Sequence, residues 1–153
     1  MINKKLLATL KIIDKKLRRK KVKWVLIGSV SLALQGMKIK AKDIDILTNK
    51  KGAFKINELL KEYEVKPVKI SRSKIFGTEY FGKFKIKDVK VEVMGKLKKK
   101  FPSQKIIKIG KMNLPVSSLK EELKAYKNLK RRKDINKIEK IMQVLEGKGA
   151  IKL

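Results

Sequence analysis

Two aspartates, Asp43 and Asp45, are the residues of this chain best suited to chemistry. They lie in the run Asp43-Ile44-Asp45-Ile46-Leu47, which alternates as a strand does, with Ile44 and Ile46 toward a core. Aspartate is disfavoured in strands. The period of two puts both carboxylates on one face, with Cα atoms about 6.6 Å apart. Like charges held that close repel unless a cation lies between them. A solvated face with Lys40 and Lys42 as counter-charges would explain an isolated pair of this kind, but the setting argues for more. Upstream, Gly28-Ser29 follows the apolar run Trp24–Ile27 at a strand-to-helix turn. Glycine lets the backbone approach a phosphate, and the first amides of a helix point at it with the positive end of the dipole. Ser29 adds a hydroxyl. A turn that can hold phosphate, followed by carboxylates that can hold a metal, suits phosphoryl-group chemistry.

Composition narrows that chemistry further. The chain of 153 residues has 43 Lys and Arg against 14 Asp and Glu, a formal charge of +29, with no His and no Cys. Disulfides, thiolate zinc sites, a thiol nucleophile and every imidazole-based mechanism are therefore excluded. A metal would have to be a hard cation held by oxygen, and a catalytic base would have to be a carboxylate, Lys or Tyr. Lysine is not matched by Glu as it would be in an ion-pair network, so the excess points to polyanions such as RNA, DNA or nucleoside triphosphates. Only Arg18, Arg19, Arg72, Arg131 and Arg132 offer the bidentate fork that reads bases, which favours general phosphate attraction.

The elements that must position these residues are legible from periodicity. Ile2, Leu6, Leu7, Leu10, Ile13 and Leu17 make one stripe of a helix over 2–20, with Asp14 on its polar side. A strand over 22–27 and a short helix over 29–35 follow, then a strand over 42–47 and a helix over 52–63 with Phe54, Leu59 and Leu60 inward. The third strand, 65–70, carries Pro67 and is expected at a sheet edge. Runs 79–86 and 89–94 read as a hairpin across Lys87-Asp88, and Lys96–Lys100 as a basic loop. A second hairpin joins 106–109 to 112–114 across Gly110-Lys111, and Pro115 is expected to end it. Ser118 and Glu121 fit a capping box, and Asp134 an N-cap for a last helix ending at Gly147. Trp24 begins a strand and is expected in the core, and Tyr80, Phe81 and Phe84 are expected to pack rather than to stack on bases.

The motif Ile27-Gly28-Ser29, a gap of thirteen residues, then Asp43-Ile44-Asp45-Ile46 resembles the signature of the DNA polymerase β-type nucleotidyltransferase superfamily. The resemblance spans 22–94 at the level of motifs. The tail from Tyr126 to Asp134 is similar to that of small single-domain, minimal nucleotidyltransferases. It implies a third carboxylate on a later strand, and Glu92 in Val91-Glu92-Val93 takes that place, with Asp88 the runner-up. Several relatives carry Arg and Thr just before the first Asp. This chain has Ile39 and Ala41 there, with Lys38, Lys40 and Lys42 as the nearby charges.

The fold implied is α/β (α+β): a mixed sheet with flanking helices over 1–115 and a C-terminal helical tail over 116–153 packed on it as one domain. The activity implied is transfer of a nucleoside monophosphate from an NTP to an acceptor hydroxyl, with release of pyrophosphate. Asp43, Asp45 and Glu92 would be catalytic and would hold two Mg²⁺ ions, with Mn²⁺ able to substitute. Gly28, Ser29, Arg72 and Lys133 are the candidate nucleotide contacts, with Ser73, Lys74, Lys127 and Arg131 near them. RNA, such as a tRNA 3′ end, or a protein hydroxyl is the expected acceptor. A basic RNA- or DNA-binding module with little catalysis is the alternative. No apolar run reaches the roughly 20 residues of a membrane span, and the amino terminus does not read as a signal peptide. A cytoplasmic protein is expected, with a partner protein or a second copy to cover an open cleft.

Overall fold

The structure, a computed structural model, describes residues 2–73, 77–96 and 100–147. Lys74, and residues 97–99 of the expected basic loop, lie outside the described residues. The chain begins with helix α1 (Lys4–Leu17), strand β1 (Trp24–Ile27), helix α2 (Gly28–Leu34), strand β2 (Ile44–Asn49) and helix α3 (Lys50–Leu59). Strands β3 (Glu64–Ser73), β4 (Gly77–Ile86), β5 (Val89–Lys96), β6 (Gln104–Ile109) and β7 (Met112–Ser117) follow. Helices α4 (Leu119–Leu129) and α5 (Ile135–Leu145) close the fold. The seven strands form one mixed sheet in the order β3-β4-β5-β2-β1-β7-β6.

Local chemistry sets many of the boundaries. Asn3 caps α1 by accepting the Leu6 N–H at 2.8 Å, and Asn49 caps α3 by accepting the Gly52 N–H at 2.7 Å. Lys87 and Asp88 both adopt positive φ (49° and 65°), the geometry that lets a two-residue turn follow the twist of β4 and β5. Pro67 lies in β3, an edge strand, as its missing N–H requires. Ser118 accepts the Glu121 N–H at 3.4 Å, but Glu121 reaches Ser103 N–H (3.4 Å) instead of closing the box.

Four further residues depart from expectation. Pro115 does not end the second hairpin. Strand β7 runs through it to Ser117, paired with β6 on one side, while the ladder to β1 consists of Leu26 opposite Val116. Few donors are called for on that side, so the imino acid is tolerated. Asp134 does not cap α5. Its side chain is buried and holds Arg131 Nε at 2.7 Å, because the short turn Arg132–Asp134 directs it inward. Asp14 is buried as well, beside the Arg18 guanidinium one turn on. Phe54 is exposed and edges onto Tyr80, with ring centroids 5.4 Å apart.

The core has two parts. The larger one joins the α1 stripe (Leu6, Leu10, Ile13, Leu17), the inward residues of β1, β2, β5 and β7, and Ala53, Ile56 and Leu60 at α3. Phe84 and Val91 lie fully buried within it, and Trp24 packs at its margin, half-buried. The smaller one gathers Leu32, Met37, Ile39, Leu119, Tyr126 and Ile141 between α2, α4 and α5. Helix α2 serves both, Val30 and Ala33 facing the first and Leu32 the second. Among the described residues no helix is long and apolar enough to cross a membrane.

Candidate active site

Strand order brings the sequence candidates together. Strand β1 runs antiparallel to β2 with Ile27 opposite Asp45, so the Gly28-Ser29 turn leaves β1 beside that carboxylate. Strand β5 runs parallel to β2 on its other side with Asp45 opposite Glu92. Side chains in register on neighbouring strands share a face, so Asp45 and Glu92 stand side by side. Asp43 precedes β2 at the same end, and its Oδ2 is 3.8 Å from Lys90 Nζ.

Gly28 has φ of +73°, and a Cβ there would lie 2.8 Å from Asp45 Oδ2. Any larger residue would therefore be strained by its backbone and would press on the carboxylate. The close approach comes from the antiparallel ladder, which runs to the last residue of β1.

Charge is concentrated at this point. Asp45 is pushed up to about 6, first by burial, then by Glu92 and Asp43, with Lys90 and Lys137 pulling the other way. Oxygen donors crowded until they repel one another are the donor set that a hard divalent cation accepts. Among the described residues no three acids already stand close enough to form a ready-made metal nest. The residues fit such an ion by donor type and by the repulsion it would relieve.

The candidates from sequence do not all meet here. Across the sheet, Ser71, Glu79, Lys96 and Asn49 occupy one row, at the end of β2 away from Asp45. Arg72 lies beyond that row on the edge strand, so the structure does not bring it to the carboxylates. Lys133 is exposed in the turn between α4 and α5. The tail cation whose charge reaches Asp45 is Lys137.

Three residues of the tail complete the cluster, of which only Tyr126 lies in the segment the resemblance covers. Gly28 N–H donates to Glu122 Oε1 at 2.6 Å. Tyr126 lies beside Ser29, and Lys137 Nζ lies 5.3 Å from the Tyr126 ring centroid. Glu122 is pushed up to about 7 by burial above all and by Asp45 further, while its bond from Gly28, the nearby Ser117 side chain and the charge of Lys137 oppose the rise. Burial, then Glu122, Asp134 and Asp45, hold the Tyr126 hydroxyl above its ordinary range, against the influence of the Ser29 side chain. Helix α4 reaches the turn because Ser31 Oγ and Gln35 Nε2 both bond the Ser117 carbonyl (2.9 and 2.8 Å), fixing the end of β7 to α2. The sequence does carry a signal for Glu122. Leu119, Glu122 and Tyr126 are spaced as one helical stripe, so an acid lies among apolar neighbours.

The strand order thus sets the Gly28-Ser29 turn beside Asp45 and Glu92, with Asp43 at the same end of the sheet. The sequence profile of the aminoglycoside-2″-adenylyltransferase family matches residues 9–141. The crystal structure of a candidate nucleotidyltransferase from Thermotoga maritima is 32% identical, over 95% of this chain and 96% of its own, with a TM-score of 0.78. The antibiotic-resistance factor ANT(2″)-Ia, solved in solution, is 12% identical over 91% of this chain and 83% of its own, with a TM-score of 0.63, a likeness of fold. No curated sequence matches the chain. By family profile and by the Thermotoga relative, the chain belongs to the aminoglycoside-2″-adenylyltransferase family and is a nucleotidyltransferase.

Proposed function

We propose that the protein transfers a nucleoside monophosphate from an NTP to a hydroxyl of RNA, with a 3′ end such as that of tRNA as acceptor, in a reaction that depends on Mg²⁺. One observation carries this reading: Asp45 is in register with Glu92 on one side and touches the space above Gly28 on the other. Asp43, Asp45 and Glu92 would hold Mg²⁺, or Mn²⁺ in its place, which when bound lowers the pKa of the acceptor hydroxyl and offsets the triphosphate charge. The Gly28-Ser29 turn would orient the phosphates, which must compete with Glu122 for the Gly28 N–H, with Lys137 drawing them in. As the acceptor oxygen bonds the α-phosphorus, the bond to pyrophosphate breaks and Glu92 takes the hydroxyl proton. The contribution of the chain is positioning and charge.

The net charge of the molecule supports this acceptor class. ANT(2″)-Ia has been crystallised with adenylyl-2″-tobramycin, and an aminoglycoside is a polycation. A chain of net charge +29 repels such a molecule and attracts a polyanion.

The test is to incubate the protein with Mg²⁺, each α-labelled NTP and total RNA, and to separate RNA from protein on a gel. Label in RNA from wild type, and none from Asp43→Ala or Asp45→Ala, is the expected result. Equal labelling by the variants would overturn the site assignment, and label in polypeptide alone would replace RNA with a protein hydroxyl. A binding module with little catalysis would instead hold RNA with steep salt dependence and no response to Mg²⁺.

A further inference from the structure

The end of the sheet opposite the carboxylates carries a second concentration of charge. Trp24 faces Thr48 where Ile27 faces Asp45, so the two ends of β1 are about 10 Å apart along the strand. A cavity of about 560 Å³ opens between the end of α1 and the β6–β7 hairpin, walled by Arg18, Arg19, Lys20, Lys23 and Lys111, with Trp24 beside them. A neighbouring cavity of about 470 Å³ shares Asp14, Arg18 and Lys111 and adds Lys11 and Lys15, so the two make one furrow.

The acid in this furrow, Asp14, is buried and committed to Arg18. Among the described residues, Lys11, Lys15, Arg19, Lys20, Lys23 and Lys111 are in no ion pair. The negative end of the helix explains Lys15, Arg18 and Arg19. It does not explain Lys111, which comes from a hairpin turn far along the chain, or bring in Lys23, which leads into β1 and rests its ammonium 4.5 Å from the Phe101 ring centroid. Converging point charges of one sign attract phosphates without reading bases.

We propose that this furrow is a docking site for single-stranded nucleic acid, held by its phosphodiester backbone, with a base stacked at Trp24. A concave basic track with an aromatic ring on its wall suits a strand whose bases are free, whereas a duplex keeps them stacked inside. The site is separate from the transfer reaction and stands whether or not RNA is the acceptor.

The test uses labelled single-stranded RNA and DNA of about 12 nucleotides, with binding followed by anisotropy and by the emission of Trp24, the only tryptophan. The variant Arg19→Ala/Lys20→Ala/Lys111→Ala alters exposed side chains. It should weaken binding about 10-fold or more and lower the slope of log K against log salt by about 2, at about 0.7 per phosphate contact. Lys66→Ala/Lys69→Ala/Lys85→Ala, which removes the same charge from strands β3 and β4, should cost under about 3-fold. Melting curves establish that both variants fold. Quenching of Trp24 at saturation supports the site, as does equal binding of RNA and DNA or a preference for RNA. Equal losses in the two variants, unchanged Trp24 emission, or tighter binding of a duplex would overturn it. Asp45→Asn should bind the strand like wild type, so failure of this site and failure of the transfer reaction are told apart.

Discussion

Replacing Glu122 by Gln isolates the electrostatic cost of the carboxylate on the glycine turn. Burial and Asp45 push Glu122 from its ordinary 4.5 to about 7. Its folded value is raised, so its contribution to stability is fully present below about 4.5 and is lost as pH rises through about 7. Holding it ionised at pH about 8 costs at most about 3 kcal/mol, at about 1.4 kcal/mol for each tenfold change in the proton equilibrium. Glutamine is close in shape, and its carbonyl can still accept the Gly28 N–H. Glu122→Gln should therefore stabilise the protein by about 1–3 kcal/mol at pH about 8 and by little at pH about 4. Urea denaturation of both forms at the two pH values measures this through the midpoint, with slopes expected to be unchanged. Equal effects at both pH values, or a loss of stability at the higher one, would refute burial of a charge as the cause.

Gly28→Ala should cost about 1–3 kcal/mol in the same assay, from the left-handed backbone and the 2.8 Å approach to Asp45 Oδ2. Arg131→Leu should cost about 3–5 kcal/mol, since it leaves the fully buried Asp134 without its ion-pair partner; a loss below about 1 kcal/mol would show the pair to be unimportant. Asp45 ionises near 6, so Mg²⁺ should stabilise the protein at pH about 8 by about 1 kcal/mol when present at five times its Kd. The effect should vanish at pH about 5 and in Asp45→Asn, and thermal melts with and without the ion check both.

The part of the cluster that lies on the sheet could be read in advance because it obeys short-range rules. Asp43 and Asp45 break a strand pattern, Glu92 sits among valines, and Gly28 ends an apolar run. The part on α4 and α5 depends on β7 lying beside β1, a contact between residues 26 and 116 that no local periodicity encodes. Lys137 therefore looks like an ordinary charge of an amphipathic helix until the strand order is known, and Glu122 shows only as an acid on an apolar stripe, with no hint of what it meets. Arg72 illustrates the reverse. The sequence puts it just past a strand, as it does Gly28, yet β3 runs on through it and delivers it to the far end of the sheet. Asp134 precedes a helix as a cap should, but pairing with Arg131 inside the fold outweighed the exposed amides.

The two hydrophobic clusters have a consequence for how the molecule opens. Asp45 and Glu92 are carried by β2 and β5, flanked by strands on both sides and backed by the larger core. Glu122, Tyr126 and Lys137 are carried by α4 and α5, which rest on the smaller one. Amide exchange should thus divide the site between two cooperative units, with the carboxylate floor among the slowest amides and the helical roof exchanging sooner, by sub-global release. Such a roof could lift from the glycine turn while the carboxylates beneath it kept their register.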